Sequence, residues 1–80
     1  METYNLFNHL KDSFEKSVAT ANHYFNIGDV LDNWEYLGQA EAYADVLRTF
    51  GHEVLLETRE REELVEITKA TVNGINILEG

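Results

Sequence analysis

The apolar residues of this chain change their spacing once, just after Gly51, and that change separates a helical stretch from a β-rich remainder. Between residues 3 and 25, Phe7, Leu10, Phe14, Val18, Ala21 and Phe25 recur at helical intervals, with Leu6 and Tyr24 beside them. The opposite side carries His9, Asp12, Glu15, Lys16, Asn22 and His23, and Lys11/Glu15 and Asp12/Lys16 stand at i,i+4, where opposite charges meet on a helix surface. Asn26-Ile27-Gly28 predicts the end of this helix, because Gly28 can take the left-handed conformation that closes one. Asp29 is then the N-cap of a second helix over residues 30–50, with Asp32 in its first turn, where a negative charge meets the positive end of the helix dipole.

The second helix has the stripe Tyr36, Leu37, Ala40, Tyr43, Ala44, Leu47 and Phe50, followed by Gly51 as its closing glycine. A connection of about three or four residues favours an antiparallel helical hairpin. Ala40 and Ala44 leave room in that hairpin for Phe7, Phe14 and Phe25 from across the interface. Gly38, inside the helix, costs about 1 kcal/mol relative to Ala and is read as a close-packing position.

From His52 the pattern is that of strands. The run from His52 to Thr58 lacks helical spacing, and residues 68–77 are rich in β-branched side chains around Asn73-Gly74, a pair that favours a two-residue hairpin turn. Strands over 52–58, 63–72 and 75–79 follow, with Val72 facing Ile75 and Ala70 facing Ile77. On that register Val65 and Ile67 lie on the opposite face from Val72, so a bulge or two-sided burial is required. The competing reading is a third helix over 60–72, supported by Arg59/Glu63, by the run from Arg59 to Glu63 and by Leu64, Ile67 and Thr71. Thr68, Thr71 and Val72, all β-branched and just before Asn-Gly, favour the sheet. The expectation is one α+β domain over residues 1–80, an N-terminal antiparallel helical hairpin followed by a small antiparallel β-meander, with an all-α three-helix bundle as the alternative.

Fifteen Asp and Glu against six Lys and Arg leave a net charge of −9 on 80 residues. A phosphate backbone or an anionic leaflet repels such a surface, and a basic protein surface attracts it. With no cysteine there is no disulfide, so a chain this small must rely on helix packing or on a second subunit. No apolar run approaches ~20 residues, and Met1 is followed by Glu2, Thr3, Tyr4 and Asn5 rather than by a basic stretch and an apolar one. These features predict a soluble cytoplasmic protein without a signal peptide or a membrane partner.

The residue types that carry chemistry are present but not assembled. His9 and His23 share a helix side yet lie about 21 Å apart along it, and His52 stands elsewhere. Ser13 and Ser17 sit in no nucleophile-elbow pattern, the glycines form no phosphate-cradling loop, and neither the Glu-x-x-His pattern nor a calcium loop occurs. No catalytic, cofactor-binding or metal residue is therefore assigned, and an enzyme is not expected. Glu41/Asp45 and the cluster Glu57, Glu60, Glu62, Glu63 and Glu66 read as solvated carboxylates. Trp34, the one tryptophan, shares a flank of the second helix with Val30, Glu41 and Asp45. An aromatic ringed by carboxylates fits the anchor of an interface with a basic surface; packing beneath the meander is the other place for it.

Two functions follow. In the first, a non-enzymatic inhibitor or regulator occupies the nucleic-acid-binding surface of a partner such as a nuclease. Its contacts would be Asp32, Trp34, Glu35, Tyr36, Glu41, Asp45, Glu57, Glu60, Glu62, Glu63 and Glu66. In size, charge and compactness the chain resembles the small acidic DNA mimics that phages and mobile elements direct against host nucleases and defence complexes, anti-CRISPR proteins among them; the likeness covers no motif. In the second, helical hairpins pair into a homodimer that serves assembly, with the negative charge serving solubility alone.

Overall fold

The computed structural model describes residues 5–78. Helix α1 (Leu6–Ile27) and helix α2 (Val30–Thr49) precede strands β1 (Val54–Arg61), β2 (Leu64–Val72) and β3 (Ile75–Asn76), which form one antiparallel sheet in the order β1-β2-β3. The α+β layout is therefore the one expected, and the three-helix alternative is excluded because residues 60–72 are β-structure.

The local signals act as the sequence implies. Asn5 caps α1 by accepting from the Asn8 N–H at 3.1 Å, and Asp29 caps α2 by accepting from the Asp32 N–H at 3.2 Å. Gly28 closes α1 at φ 80°, so the short turn to Asp29 can reverse the chain. Gly51 does the same for α2: its N–H donates to the Arg48 carbonyl at 2.9 Å, and the His52 N–H donates to Leu47 at 3.1 Å. Lys11 pairs with Glu15 at 2.7 Å, and this bond raises the lysine above its ordinary pKa.

Leu10, Phe14, Val18 and Ala21 of α1, Leu37, Ala40, Ala44 and Leu47 of α2, and Val65, Ile67, Ala70 and Val72 of β2 make the core. Phe7, Tyr36 and Tyr43 pack at its margin. Burial of a side chain such as Phe14 or Ile67 contributes about 1.5–3 kcal/mol, so the hydrophobic drive to fold is concentrated in this single layer between helices and sheet.

Four apolar residues of β2 reach the same face because the ladder contains a bulge. Glu57 pairs with Lys69, but Thr58 pairs with Ile67, so Thr68 is an extra residue on β2. The insertion switches the alternation between Ile67 and Ala70, and the conflict between Val65/Ile67 and Val72 disappears. The Thr68 hydroxyl donates to the Glu57 carbonyl at 3.3 Å across the bulge. Val72 faces Ile75, and the Ile77 N–H donates to Ala70 at 2.9 Å, as the Asn-Gly turn requires. Asn73 and Gly74 both have positive φ, 51° and 85°, the backbone that matches the twist of a two-residue hairpin.

Several expectations are corrected. Strand β1 continues to Arg61 instead of stopping at residue 58, because its turn is made by Glu62, at φ 59°, and Glu63. Strand β3 ends at Asn76 instead of continuing to residue 79: the Asn76 side chain accepts from the Leu78 N–H at 2.9 Å, and Ile77 and Leu78 fold onto the core. Residue 79, like the expected first residues of α1 at positions 3 and 4, lies outside the described residues. Phe50 does not belong to the buried stripe; it is the C-cap of α2 and is 59% exposed. Gly38 is exposed, and a methyl group there would meet open space, so it makes no close packing contact.

Candidate binding surface

Helix α2 positions the surface, and its sequence shows how. Asn33, Leu37, Ala40, Ala44 and Leu47 are buried on one side, while Leu31, Trp34 and Val46 project from the other. Leu31 is 83% exposed and Trp34 47%. Apolar residues on both sides of a helix mean that one side is left without a partner among the described residues.

Trp34 is exposed but not loose. Its indole Nε1 donates to the Glu63 carbonyl at 2.8 Å, which ties the helix to the turn that Glu62 and Glu63 make between β1 and β2. One residue earlier, Asn33 is wholly buried: its amide donates to Ala21 and Val65 carbonyls, both at 2.9 Å, and its Oδ1 accepts from the Val65 N–H at 2.8 Å. The two adjacent side chains hold the N-terminal half of α2 against the hairpin, one inside and one outside. Asn22, expected on the solvent side of α1, makes a similar pair with Ile67 at 2.8 and 3.0 Å.

The charges around Leu31 and Trp34 are acidic. Asp29, Asp32 and Glu35 crowd the first turns of α2, and the Asp32 carboxyl is held above the ordinary carboxylate range by partial burial and by the neighbouring Asp29 and Glu35. The Tyr24 hydroxyl is raised too, first by burial and then by Asp32 and the other charges of this end. Ile27, the last residue of α1, adds a further side chain 61% exposed just before the turn.

The eleven residues singled out from sequence divide into four groups. Asp32, Trp34, Glu35, Glu62 and Glu63 come together at this end of the molecule. Glu41 and Asp45 continue along the same helix into a groove of about 270 Å3 lined also by Ala44, Arg48 and Leu56; Arg48 takes Asp45 at 3.0 Å. Glu57 and Glu66 lie on the outer face of the sheet: Glu57 stands across the ladder from Lys69, and Glu66 pairs with Arg59 at 3.3 Å. Glu60 is exposed on β1, and Tyr36 is turned inward, where its ring stacks on Tyr24 with centroids 5.6 Å apart. Leu31 and Ile27 were not in the sequence-derived set. The signal for Leu31 was available in the wheel of α2, where Leu31, Ala42 and Val46 fall opposite Leu37, Ala40, Ala44 and Leu47.

Among the described residues no group of three His, Cys, Asp or Glu could hold a metal ion, and no helix is long and apolar enough to cross a membrane. No protein-family model, curated protein or solved structure matches this chain.

Proposed function

We propose that this protein acts by association, without chemistry of its own, and seats an acid-ringed apolar end on the basic surface of a partner protein that otherwise holds nucleic acid. The observation that carries this reading is Trp34: a half-exposed indole, fixed by its bond to the Glu63 carbonyl, one turn from the exposed Leu31, at an end of the molecule that also carries Asp32, Glu35, Glu62 and Glu63. A tryptophan already held in one orientation loses little rotamer freedom on binding, and residues of this type dominate interface energetics. The carboxylates supply the long-range attraction that speeds encounter with a cationic surface and makes it sensitive to salt.

On this reading the protein is an inhibitor or regulator of a nuclease or other nucleic-acid-binding protein, in the manner of the acidic DNA mimics used against defence complexes. A homodimer through the helices fits less well. The exposed side of α2 bears Glu35, Glu41 and Asp45 against the single base Arg48, so two such faces repel one another.

The test is capture from a native lysate at low and high salt, followed by competition between this protein and duplex DNA for the purified partner. Wild type is expected to displace DNA at low salt and to lose the partner at high salt. Trp34→Ala and Glu35→Lys should each weaken binding by roughly tenfold or more. Equal displacement by both variants, or tight adherence of the protein itself to duplex DNA, would overturn the reading.

A further inference from the structure

The two edges of the sheet are finished differently. On the β2 side, beyond the reach of the two-residue β3, amide side chains complete the ladder: Asn33 engages both the N–H and the carbonyl of Val65, and Asn22 both those of Ile67. Among the described residues the β1 side has no such cover. Val65 and Ile67 turn their backbone groups away from β1, so their ladder partners Glu60 and Thr58 turn theirs away from β2. Leu56 does the same, because its partner Ala70 gives its carbonyl to Ile77. Along this row the Val54 carbonyl is occupied, by Arg48 Nε and Nη2 at 3.2 and 2.9 Å. Leu56, Thr58 and Glu60 thus present a row of donors and acceptors on a strand that contains no proline, the arrangement that recruits another strand.

We propose that β1 pairs antiparallel with β1 of a second copy of this chain, with Thr58 of each facing Thr58 of the other across a two-fold axis normal to the sheet. Such an axis keeps the faces of the sheet, so the register can be centred only on a residue, and the charges choose which one. Centred on Glu57, the register opposes two like carboxylates; centred on Arg59, two guanidinium groups. Centred on Leu56, it needs the Val54 carbonyl that Arg48 already holds. Centred on Thr58, it sets Glu57 against the second copy's Arg59 and, by symmetry, Arg59 against the second copy's Glu57.

The internal pairs extend this match. Lys69 lies opposite Glu57 and Glu66 pairs with Arg59 within each chain. Across the joined sheet the outer face therefore reads Lys69, Glu57, Arg59, Glu66, alternating in sign through both copies, and the two-fold axis repeats the row. The Leu55 side chain, 40% exposed, faces the aliphatic stem of the second copy's Arg61. About six backbone hydrogen bonds form, two at Thr58 and two at each Leu56–Glu60 pair. One pair of edge strands makes a small interface, below about 1,200 Å2 in total, which suits reversible self-association. The inference does not rest on the docking of Trp34: a chain that pairs but captures no partner, or captures one while monomeric, separates the two.

The experiment is sedimentation over a range of concentrations, with far-UV circular dichroism to establish that each variant is folded. Glu57→Arg and Arg59→Glu should each weaken the dimer by roughly tenfold, since each places like charges opposite one another twice, and the double variant should restore it. Because the chain has no cysteine, Thr58→Cys is a single-thiol probe. On the axis its two Cα atoms lie about 5.5 Å apart, within disulfide reach, and mild oxidation should link them. Glu60→Cys should not link, because its counterpart lies about 13 Å along the strand. A monomer at every concentration, a dimer indifferent to the single charge reversals, or linkage at position 60 as fast as at 58 would overturn the proposal.

Discussion

At the scale of the residue, Asn33 does what no apolar side chain in its place could do. It lies fully buried between α1 and β2 and satisfies three backbone groups, the Ala21 and Val65 carbonyls and the Val65 N–H. Replacement by Leu keeps the volume but leaves the Val65 N–H and carbonyl buried without partners, at about 1–3 kcal/mol each, while the Ala21 carbonyl keeps its bond within α1. Asn33→Leu is therefore expected to lose at least about 2 kcal/mol. Asn22→Ala, at a half-buried edge that water can reach, should lose about 1 kcal/mol. Urea denaturation of the two variants reads the difference; equal and small losses would mean that water already serves the Val65 edge. In the sequence, Asn22 and Asn33 look like other helix polar residues. Asn33 nevertheless falls on the wheel with Leu37, Ala40 and Ala44, and a polar residue amid such a stripe marks a backbone group that needs a partner. Which group it serves depends on contacts with residues 65 and 67, remote in sequence, so no local pattern could reveal it.

At the scale of the element, caps and turns were legible because they are local chemistry: Asp29 with Gly28 fixed the helical hairpin, and Asn73-Gly74 fixed the β2–β3 turn. The turn at Glu62 was not legible, since a glutamate with φ 59° has no residue signature. The bulge was legible as a contradiction. Val65 and Ile67 could not share a face with Ala70 and Val72 unless one residue between them dropped out of the alternation, and Thr68 is that residue. Deleting Thr68 restores simple alternation and leaves Val65, Ile67, Ala70 and Val72 all on the core face. The deletion is therefore expected to leave a cooperatively folding protein, and Thr68→Val, which keeps the bulge and removes one exposed hydroxyl bond, should change stability by less than about 1 kcal/mol. Thermal melts of both variants decide it. A deletion variant that loses its cooperative melt would show that the bulge itself, and not only the shared face of the four apolar residues, is needed for the core. Trp34 was ambiguous for a related reason: the wheel of α2 places it on a flank, and only the position of the Glu63 carbonyl determines that the ring lies outside and is held there.

At the scale of the whole molecule, the net charge of −9 makes the acidic end a cost to folding as well as an attraction for a partner. Asp32 is the local measure of that cost. Its position in the first turn of α2 favours the carboxylate through the helix dipole, yet its pKa is raised, so partial burial and the proximity of Asp29 and Glu35 outweigh the helix. Because the folded state holds this proton more tightly than the unfolded one, stability falls as pH rises from the ordinary aspartate range through the raised value, and the penalty is fully present above it. Asp32→Asn removes the penalty. The variant should exceed wild type in stability at neutral pH, and its advantage should vanish as pH falls below the ordinary carboxylate range, where wild-type Asp32 is protonated in both states. Added salt should narrow the same gap at neutral pH, because screening weakens the repulsion among the exposed carboxylates. Urea midpoints of both proteins, measured across the acid range at low and high salt, test all three statements; a variant less stable than wild type at neutral pH would mean that the helix dipole, not the crowding of carboxylates, governs this end of the molecule.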